Sequence, residues 1–370
     1  MIVFCHLLND RSGSPRVLCS AIEALAAGGA GNLLYVGSQG QGVLETAAAS
    51  RRRYWYRRSR FRVVTLFTLL LSQFHLYRML SRAKDIPSDA VIYLNTLLPF
   101  GAAIWAKVNH RRLICHVHEV SLSPAPLRRF LTGIAARTAD LLIYVSNDHL
   151  SRLPIPARRA MVLANPVAPA LQAKGRSTPY RVRRSGAFEV LMLASARDFK
   201  GIPEFLRLAL AMADRSDMAF TLVLNADADE IARYFGRRPV PANVRVHPRT
   251  DDPARFYATA DLVVNLSRVD MWIETFGLTL AEAMCFGIPV IAPPLGGARE
   301  VVSEGVDGFL IDSRDPEALA AAVSRLADDP DLSASMSVAA RRKAEQFSQI
   351  AFASGLRSQV EALRAEAEFA

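Results

Sequence analysis

Short apolar runs alternate with helical patterns along most of this chain. In the first half, the strand-like runs lie at residues 2–8, 32–36, 90–94, 113–117, 141–145 and 161–163. In the second half, they lie at 188–194, 220–224, 243–246, 262–266, 289–291 and 309–311. Apolar residues with helical spacing follow the first run, and Gly28–Gly29 come next as a predicted helix cap. This alternation predicts parallel sheets that are covered by helices on both faces.

The alternation stops between residues 174 and 186, where Gly, Ser, Pro and Arg are typical of a linker. A chain of 370 residues, 51% of them hydrophobic, also exceeds what one core usually fills. We therefore predict a first sheet domain at 1–173, a second at 187–345 and a C-terminal helix at 346–370. The fold class is α/β, with two Rossmann-like, doubly wound parallel-sheet domains.

Cysteine usage and the N-terminus bear on location. The four cysteines stand singly in apolar segments, which favours reduced thiols over disulfides or a zinc site. The first residues form a predicted strand without a basic leader or a cleavage pattern, so no secretory signal is expected. Together these features predict a cytoplasmic location.

The segment from Glu274 to Glu282 has two carboxylates eight residues apart, with Gly277 at the start of a predicted helix between them. A helix start after a strand and loop offers unpaired N–H groups and a positive dipole end, both of which favour a phosphate. A loop carboxylate can accept hydrogen bonds from sugar hydroxyls, and one further along the helix can reach a ribose. The segment therefore predicts a nucleotide-sugar site, whereas the simpler interpretation is an amphipathic helix with one surface glutamate.

Further motifs continue this segment: Gly287-Ile-Pro-Val, Gly296-Gly297 with Glu300, and Gly305-Val-Asp-Gly-Phe-Leu. In this order and spacing, the region resembles the donor-site signature of the retaining glycosyltransferases of family 4, which have the GT-B fold with two domains facing a cleft. The resemblance implies that Glu274 contacts the donor sugar and that Glu282 binds the ribose. It also implies that the final helix crosses back to the N-terminal domain. The diphosphate would be held by the backbone at Phe276, Gly277, Leu278 and Thr279.

Arg197 and Lys200 follow the strand-like run at 188–194. Ligands of open parallel sheets bind at the carboxyl ends of strands, so both cations are expected to face a ligand and to neutralise a departing diphosphate. The segment is similar to the family's Gly-Arg and Lys-Gly element, although Ala196 stands where glycine is usual and there is a short insert. A solvated surface loop is the simpler interpretation.

His116 and His118 lie at the end of another predicted strand, and alternation places them on one face. They would suit a metal site, but no third ligand is close in sequence. The resemblance implies instead that His118 approaches the donor sugar near the reacting carbon, while His116 is structural. Gly13 lies in the loop after the first strand, where relatives have paired glycines close to the donor phosphate or the acceptor.

Two other ligand classes lack their motifs. The first loop has no Gly-x-Gly-x-x-Gly, so nicotinamide binding is not predicted. Asp227 and Asp229 follow a strand and look like a helix start rather than a metal site. The resemblance likewise implies no metal and no cofactor, with the nucleoside diphosphate sugar acting as a substrate.

Residues 51–62 contain seven arginines among aromatics, and an apolar helical segment follows to residue 82. The segment adjoins no nucleic-acid motif, so nucleic acid is not an expected partner. Its polar residues form one narrow stripe, namely Thr65, Thr68, Ser72, His75, Arg78 and Arg82. The uninterrupted apolar stretch is shorter than the ~20 residues of a transmembrane helix. We therefore predict contact between Arg51–Arg82 and an anionic membrane surface, supported by the net charge of +10, while a helix buried in the domain is the alternative.

The site residues and the resemblance to family 4 together imply a retaining, metal-independent glycosyltransferase. It would move a sugar to a glycan or lipid-linked acceptor in bacterial-type cell-surface polysaccharide synthesis, at the inner face of the cell membrane. The resemblance implies a front-face mechanism, in which Arg197 and Lys200 stabilise the leaving diphosphate and Glu274 and His118 orient the sugar. Two alternatives remain: a non-catalytic, membrane-associated nucleotide-sugar-binding protein, and a GT-B relative with epimerase chemistry.

Overall fold

The computed structural model describes residues 1–26, 31–120, 122–182, 186–236 and 238–368. The chain divides into two compact units, one formed by Met1–Pro166 with Gln349–Ala370 and the other by Val167–Ser348. The predicted helix cap at 28–29 and part of the predicted linker, residues 183–185, lie outside the described residues.

The first unit contains a parallel sheet of seven strands in the order β3-β2-β1-β4-β5-β6-β7. The strands are β1 (Ile2–His6), β2 (Leu33–Gly37), β3 (Ser50–Tyr54), β4 (Val91–Asn95), β5 (Leu113–His116), β6 (Leu141–Tyr144) and β7 (Ala160–Val162). The helices between them are α1 (Gly13–Leu25), α2 (Arg62–Arg82), α3 (Phe100–Val108), α4 (Ala125–Thr138) and α5 (Asn147–Arg152). The strand order reverses between β1 and β4.

Both faces of this first sheet are buried, which explains why its strands are continuous apolar runs. Along β1, Val3 and Cys5 belong to the core beneath α2 and α3, where Leu76 and Trp105 are also buried. Ile2 and Phe4 point to the opposite core, which includes residues of α1. The period-2 alternation of a strand therefore supplies both cores from one segment.

The second unit contains a six-stranded parallel sheet in the order β10-β9-β8-β11-β12-β13. The strands are β8 (Phe188–Ala194), β9 (Met218–Leu224), β10 (Val244–His247), β11 (Leu262–Val264), β12 (Val290–Ala292) and β13 (Gly308–Leu310). The helices are α6 (Pro169–Ser177), α7 (Ile202–Ala211), α8 (Ala228–Phe235), α9 (Ala254–Tyr257), α10 (Leu278–Cys285), α11 (Ala298–Val301), α12 (Pro316–Asp328) and α13 (Pro330–Ala344). Its strand order reverses between β8 and β11.

The last helix, α14 (Gln349–Glu368), is part of the first unit. Its side chains reach the backbone of α1: Gln349 Nε2 donates to Ser20 O at 2.8 Å and Arg357 Nε donates to Ala24 O at 2.6 Å. Phe352 and Leu356 are buried in the same core as the side chains of α1. The C-terminus of the chain thus completes the domain that the N-terminus begins.

The unit boundaries differ from the predicted domain limits of 173, 187 and 345. Residues 169–177 form α6 and belong to the second unit, although their polar composition resembles a linker. Arg341 anchors this helix, because its Nη1 donates to Gly175 O at 3.0 Å and to Cys285 O at 3.2 Å. The second unit then continues to Ser348, past the predicted end.

The arginine-rich segment contains a strand that its composition does not predict. Residues Ser50–Tyr54 form β3, an edge strand whose one neighbour among the described residues is β2. Three of its arginines have carboxylate partners: Arg51 and Arg53 with Glu45, and Arg52 with Asp85. An edge strand with one neighbour can expose charged residues, so no alternating apolar pattern is required.

The polar stripe of helix α2 is divided between the protein interior and solvent, since His75, Arg78 and Arg82 are exposed. Thr68 and Ser72 of that stripe are buried against the protein, whereas Val63 and Phe67 are exposed. Among the described residues, α2 is the one helix long and apolar enough to cross a membrane by length and composition, and 33% of the relevant window is buried inside the protein. One such helix is weak evidence for a membrane span.

Candidate functional site

The centre of the second sheet is a topological switch point. In doubly wound sheets, ligands bind in the crevice at the carboxyl ends of the two strands where the order reverses. Here these strands are β8 and β11. Lys200 follows β8, and Ser267 and Glu274 follow β11. The predicted site residues from two distant segments therefore meet at one edge of the sheet.

Lys200 and Glu274 form an ion pair, with 2.5 Å between Nζ and Oε1. Ser267 Oγ donates a second hydrogen bond to the same carboxylate oxygen at 2.7 Å. The side chains of Lys200 and Glu274 are 20% and 16% exposed, so both remain accessible to a ligand. Burial raises the pKa of Glu274, but the charge of Lys200 and the hydrogen bonds outweigh it and lower the pKa overall. The site presents an ionised carboxylate beside an ammonium group.

Two aromatic rings position the ammonium group. Phe199 and Trp272 stack with 5.0 Å between ring centroids, and Lys200 Nζ lies 5.1 Å from the centroid of Trp272. The two loops are also joined by their backbones, since Arg268 N donates to Phe199 O at 2.9 Å. A cation above an aromatic face is electrostatically favourable. The aromatic pair therefore holds Lys200 close to the Glu274 loop.

The turn after Lys200 requires glycine. Gly201 has φ +84°, and a Cβ atom there would lie 2.0 Å from Leu266 O. The first loop thus approaches the end of β11 more closely than any side chain allows. This close approach gives a physical reason for the Lys-Gly pair in the sequence.

The backbone of Glu274 is fixed by the glycine pair at 296–297. Gly297 N donates to Glu274 O at 2.8 Å. Gly296 has φ +87°, and a Cβ atom at that position would lie 2.6 Å from Glu274 O. These two glycines therefore support the loop from which the Glu274 carboxylate projects.

Helix α10 starts immediately after this loop. Gly277, in a left-handed conformation with φ 104°, is its N-cap, and Leu278 and Thr279 form its half-buried first turn. Phe276 is buried, and its ring packs edge-on against Phe347 with 5.4 Å between centroids. The side chain of Phe276 therefore has a packing role. A diphosphate at this segment would contact the backbone rather than the Phe276 ring.

Glu282 lies within α10 and is only 4% exposed. Its Oε2 accepts a hydrogen bond from Tyr257 Oη at 2.7 Å. The Tyr257 ring in turn packs against Phe286, with centroids 5.4 Å apart. The predicted ribose contact therefore involves a carboxylate that is already bonded inside the protein, and that contact stays a prediction.

Arg197 is exposed, and its Nη1 donates to the neighbouring carbonyl of Ala196 at 3.3 Å. Within the described ranges it has no carboxylate partner. The structure therefore brings Lys200 to Glu274 but does not bring Arg197 to that carboxylate. Its predicted contact with a diphosphate stays a prediction.

In the first unit, Asn95 connects two predicted site segments. Its Nδ2 donates to Ser14 O at 3.0 Å, beside Gly13, and its Oδ1 lies 3.0 Å from His118 Nε2. Because an amide oxygen only accepts, His118 must carry its proton on Nε2. The other ring nitrogen, Nδ1, is then an acceptor. Gly13 is exposed at the start of α1.

His118 belongs to a group of histidines at the carboxyl ends of β1 and β5. Its ring lies 4.3 Å from that of His116, and Tyr93 Oη lies 2.7 Å from His116 Nδ1. Burial lowers the pKa of His116 to about 3 and that of His118 well below its ordinary value. Both imidazoles are therefore neutral at pH 7. His149 Nε2 donates to Glu119 O at 2.8 Å.

Among the residues that the structure describes, no group of three or more His, Cys, Asp or Glu side chains is arranged to hold a metal ion. The histidines at the end of β5 have other partners, namely Tyr93 and Asn95. The expectation that this protein needs no metal and no cofactor stays a prediction.

Several site residues were not found from sequence. Ser267 lies three residues after the end of β11, and Asn95 is the last residue of β4. A systematic search of polar residues near strand ends would have found both. Trp272 carries no such signal, because its contact with Lys200 depends on how the loop folds.

Comparison with known proteins identifies relatives of both the sequence and the fold. Residues 182–343 match the family model described as "Glycosyl transferases group 1". The chain is 35% identical over 156 residues to D-inositol 3-phosphate glycosyltransferase 1 from Catenulispora acidiphila, covering 40% of this chain and 35% of that relative. It is 41% identical over 115 residues to the D-inositol 3-phosphate glycosyltransferase from Thermobispora bispora, covering 30% and 26%. The chain thus spans about a third or less of the length of these relatives.

Solved structures resemble this chain over almost its whole length. HepE from Anabaena, in complex with UDP and glucose, has 20% identity and a TM-score of 0.76, with 97% of this chain and 99% of that chain covered. Sucrose-phosphate synthase from Thermosynechococcus elongatus has 19% identity and a TM-score of 0.78, with 99% of each chain covered. At these identities the likeness shows the fold alone. It confirms the predicted GT-B fold with two parallel-sheet domains.

Proposed function

We propose that this chain, whose residues 182–343 match the family model of the group 1 glycosyltransferases, transfers a sugar from a nucleoside diphosphate sugar to an acceptor hydroxyl. The observation that carries the proposal is the pairing of Lys200 with Glu274 at the switch point of the second sheet. An ammonium group suits a diphosphate, and an ionised carboxylate suits sugar hydroxyls. The UDP and glucose bound by HepE, which has the same fold, support a donor of this class.

We infer the following division of roles in the second unit. Lys200 and Arg197 stabilise the negative charge that develops on the leaving diphosphate, since fixed cations are effective where charge develops in the transition state. Glu274 accepts hydrogen bonds from the donor sugar. The backbone of Phe276, Gly277, Leu278 and Thr279 binds the diphosphate, and Glu282 the ribose.

The proposed reaction breaks the bond between the anomeric carbon and the phosphate oxygen and forms a bond from that carbon to the acceptor oxygen. The acceptor proton passes to the departing phosphate oxygen, so the proposal needs no side-chain base. Retention of configuration is proposed from the resemblance to family 4. In the first unit, His118 orients the donor sugar and Gly13 belongs to the phosphate or acceptor loop.

The proposed acceptor is a glycan or a lipid-linked sugar, in bacterial-type cell-surface polysaccharide synthesis at the inner face of the cell membrane. The four free cysteines agree with a cytoplasmic location. The inositol phosphate named for the curated relatives is not carried over, because the match covers only a minor part of their length.

Donor binding is tested first, by thermal shift of the full chain against nucleoside diphosphates and their sugars. A ligand that binds the native state raises the melting temperature, by an amount that depends on its concentration relative to its Kd. We expect a selective shift with one base, reduced in Lys200→Ala and unchanged in Lys174→Ala, an exposed lysine of the same unit. Absence of any shift in well-folded protein would overturn the proposal in favour of a non-catalytic role.

Turnover is then measured with the selected donor and a panel of acceptors. Glu274→Ala is expected to lower kcat more than nucleoside diphosphate affinity, because the carboxylate acts on the sugar. Donor consumption without an acceptor, with a changed sugar as the product, would instead indicate epimerase chemistry. Equal loss of nucleotide affinity in Glu274→Ala and Glu282→Ala would contradict the proposed division of roles.

A further inference from the structure

Helix α2 presents an apolar surface to solvent, which we call the α2 apolar face. It consists of Val63, Val64, Leu66, Phe67, Leu70, Leu71 and Phe74, each between 38% and 80% exposed. These positions recur at three- and four-residue intervals, so they lie on one side of the helix. A contiguous exposed apolar surface on a helix marks an interaction site more often than scattered single residues do.

The opposite side of α2 is fixed to the first unit. Gln73 Oε1 accepts a hydrogen bond from Gly101 N of α3 at 3.1 Å, and Gln73 is buried. Thr68 Oγ1 donates to Arg57 O, in the segment before the helix, at 2.6 Å. Because Gln73 and Thr68 have partners outside the helix, α2 cannot turn its apolar face inward without breaking these hydrogen bonds.

Arginines flank the α2 apolar face at both ends. Arg57, Arg58, Arg60 and Arg62 precede it, and Arg78 and Arg82 follow it, all of them exposed. In the part of the chain that the structure describes, none of the first four has a carboxylate partner, unlike Arg51, Arg52 and Arg53 of β3. The guanidinium groups at this surface are therefore available to bind anions.

We propose that the α2 apolar face inserts into the surface of an anionic lipid bilayer, with the flanking arginines on the lipid phosphates. The combination of an apolar helix face with a cationic border is complementary to the acyl and headgroup layers of such a membrane. Although α2 is long enough to cross a bilayer, the hydrogen bonds of Thr68 and Gln73 hold its other side against the protein. We therefore place α2 in the membrane plane, with only its apolar face in the lipid.

This inference goes beyond the proposed glycosyl transfer, and it holds or fails without a donor or an acceptor. It specifies the side of the first unit that faces the membrane. A lipid-linked acceptor would then be presented to an enzyme that already lies at the bilayer surface.

The first experiment is sedimentation of the full chain with two kinds of vesicle. One is phosphatidylcholine alone, and the other contains roughly 30% phosphatidylglycerol, which makes its surface anionic. We expect binding to the anionic vesicles, weakened at high salt because surface charges are screened. Equal binding to both vesicle types, or binding to neither, would overturn the proposal.

The apolar contribution is tested with Phe67→Ser/Phe74→Ser. Both side chains are about 60% exposed, so the change should leave folding intact. The matched control is Val338→Ser/Ile350→Ser, which removes two apolar side chains of 62% and 75% exposure elsewhere on the surface. We expect the first pair to lower vesicle affinity by about tenfold or more and the control pair to leave it unchanged, since burial of large side chains contributes that much.

The charge contribution is tested with Arg57→Gln/Arg58→Gln/Arg60→Gln. Each arginine near an anionic surface contributes about 1 kcal/mol, so three should change affinity on the order of 100-fold. The control removes three exposed arginines of the second unit, Arg207→Gln/Arg299→Gln/Arg342→Gln. Equal losses in the two triple variants would mean that only net charge matters, which contradicts a defined surface.

Two further measurements distinguish the proposed lipid contact from a contact between two copies of the chain and from a membrane-spanning helix. If size-exclusion chromatography without vesicles gives a dimer that Phe67→Ser/Phe74→Ser dissociates, the face is an interface between copies and the proposal fails. If the membrane-bound chain resists extraction at alkaline pH, α2 spans the bilayer and the in-plane geometry fails. The donor-induced thermal shift of each variant, expected to equal that of the unmodified chain, distinguishes loss of membrane binding from loss of the proposed donor site.

Discussion

Lys200 Nζ lies 2.5 Å from Glu274 Oε1, although the two residues are 74 positions apart in the chain. Each neutralises the charge of the other, and Ser267 adds a hydrogen bond to the same oxygen. A diphosphate that reaches Lys200 would compete with Glu274 for the ammonium group. Donor binding and the ionic state of the carboxylate are therefore expected to be coupled.

The first prediction concerns the stability contributed by this pair. Lys200→Ala leaves a largely buried carboxylate with fewer partners, and we expect a loss on the order of 2 kcal/mol in unfolding free energy. Glu274→Gln should cost less because the amide is neutral. The double variant should lose less than the sum of the two, by about 0.5–3 kcal/mol. Calorimetry of the four proteins measures this coupling, and strict additivity would contradict a direct interaction.

Glu282 and Tyr257 allow a packing role to be separated from ribose binding. Tyr257→Phe removes the 2.7 Å hydrogen bond to Glu282 and keeps the carboxylate. We expect both Tyr257→Phe and Glu282→Gln to lower unfolding free energy by about 1–3 kcal/mol, the usual cost of disrupting a buried hydrogen bond. If Glu282 also binds ribose, calorimetric titration should show weaker nucleoside affinity in Glu282→Gln than in Tyr257→Phe. Equal affinities would leave Glu282 with a packing role alone.

Gly296 lies against the backbone of Glu274, so a substitution there tests whether the position of the Glu274 carboxylate matters for turnover. Gly296→Ala would place a methyl group 2.6 Å from Glu274 O, so the loop must move. Gly305 also has positive φ, at +71°, but a Cβ atom there meets nothing within 4 Å. Both alanine variants therefore contain backbone strain of about 1–2 kcal/mol, and only Gly296→Ala displaces the carboxylate. We expect kcat to fall at least tenfold in Gly296→Ala and to change little in Gly305→Ala.

Much of the fold could be predicted because parallel strands buried on both faces must be apolar. The run at 188–194 is observed as β8 with the same limits, and the run at 220–224 lies within β9. Strand β3 was not predicted because an edge strand can expose charged side chains, here Arg51 to Arg53, and so lacks an apolar pattern. Helix α6 was not predicted because the residue that anchors it, Arg341, which donates to the backbone oxygen of Gly175, is distant in sequence.

The candidate site was predictable only to the level of strand ends. Ligands bind at the carboxyl ends of parallel strands, and this rule predicts from the sequence that Lys200 and Glu274 lie at the same edge of the sheet. The internal hydrogen bond of Glu282 and the stacking of Trp272 depend on tertiary packing that no local pattern encodes. Likewise, the periodicity of α2 defines a polar stripe but not whether α3 or the solvent covers it.

The last prediction is acid sensitivity caused by the buried histidines of the first unit. Burial lowers the pKa of His116 to about 3, whereas an unfolded histidine titrates near pH 6.5. Below pH 6.5 the unfolded chain therefore binds a proton that the folded chain does not, and stability falls as the pH falls. At pH 5 the loss from His116 alone is about 2 kcal/mol, or on the order of 4–8 °C in melting temperature. Calorimetry at pH 7 and pH 5 should show this loss in the unmodified chain and in the control His110→Asn, which changes an exposed histidine. His116→Gln should show a smaller loss between the two pH values, and an undiminished loss in that variant would assign the acid sensitivity to other groups.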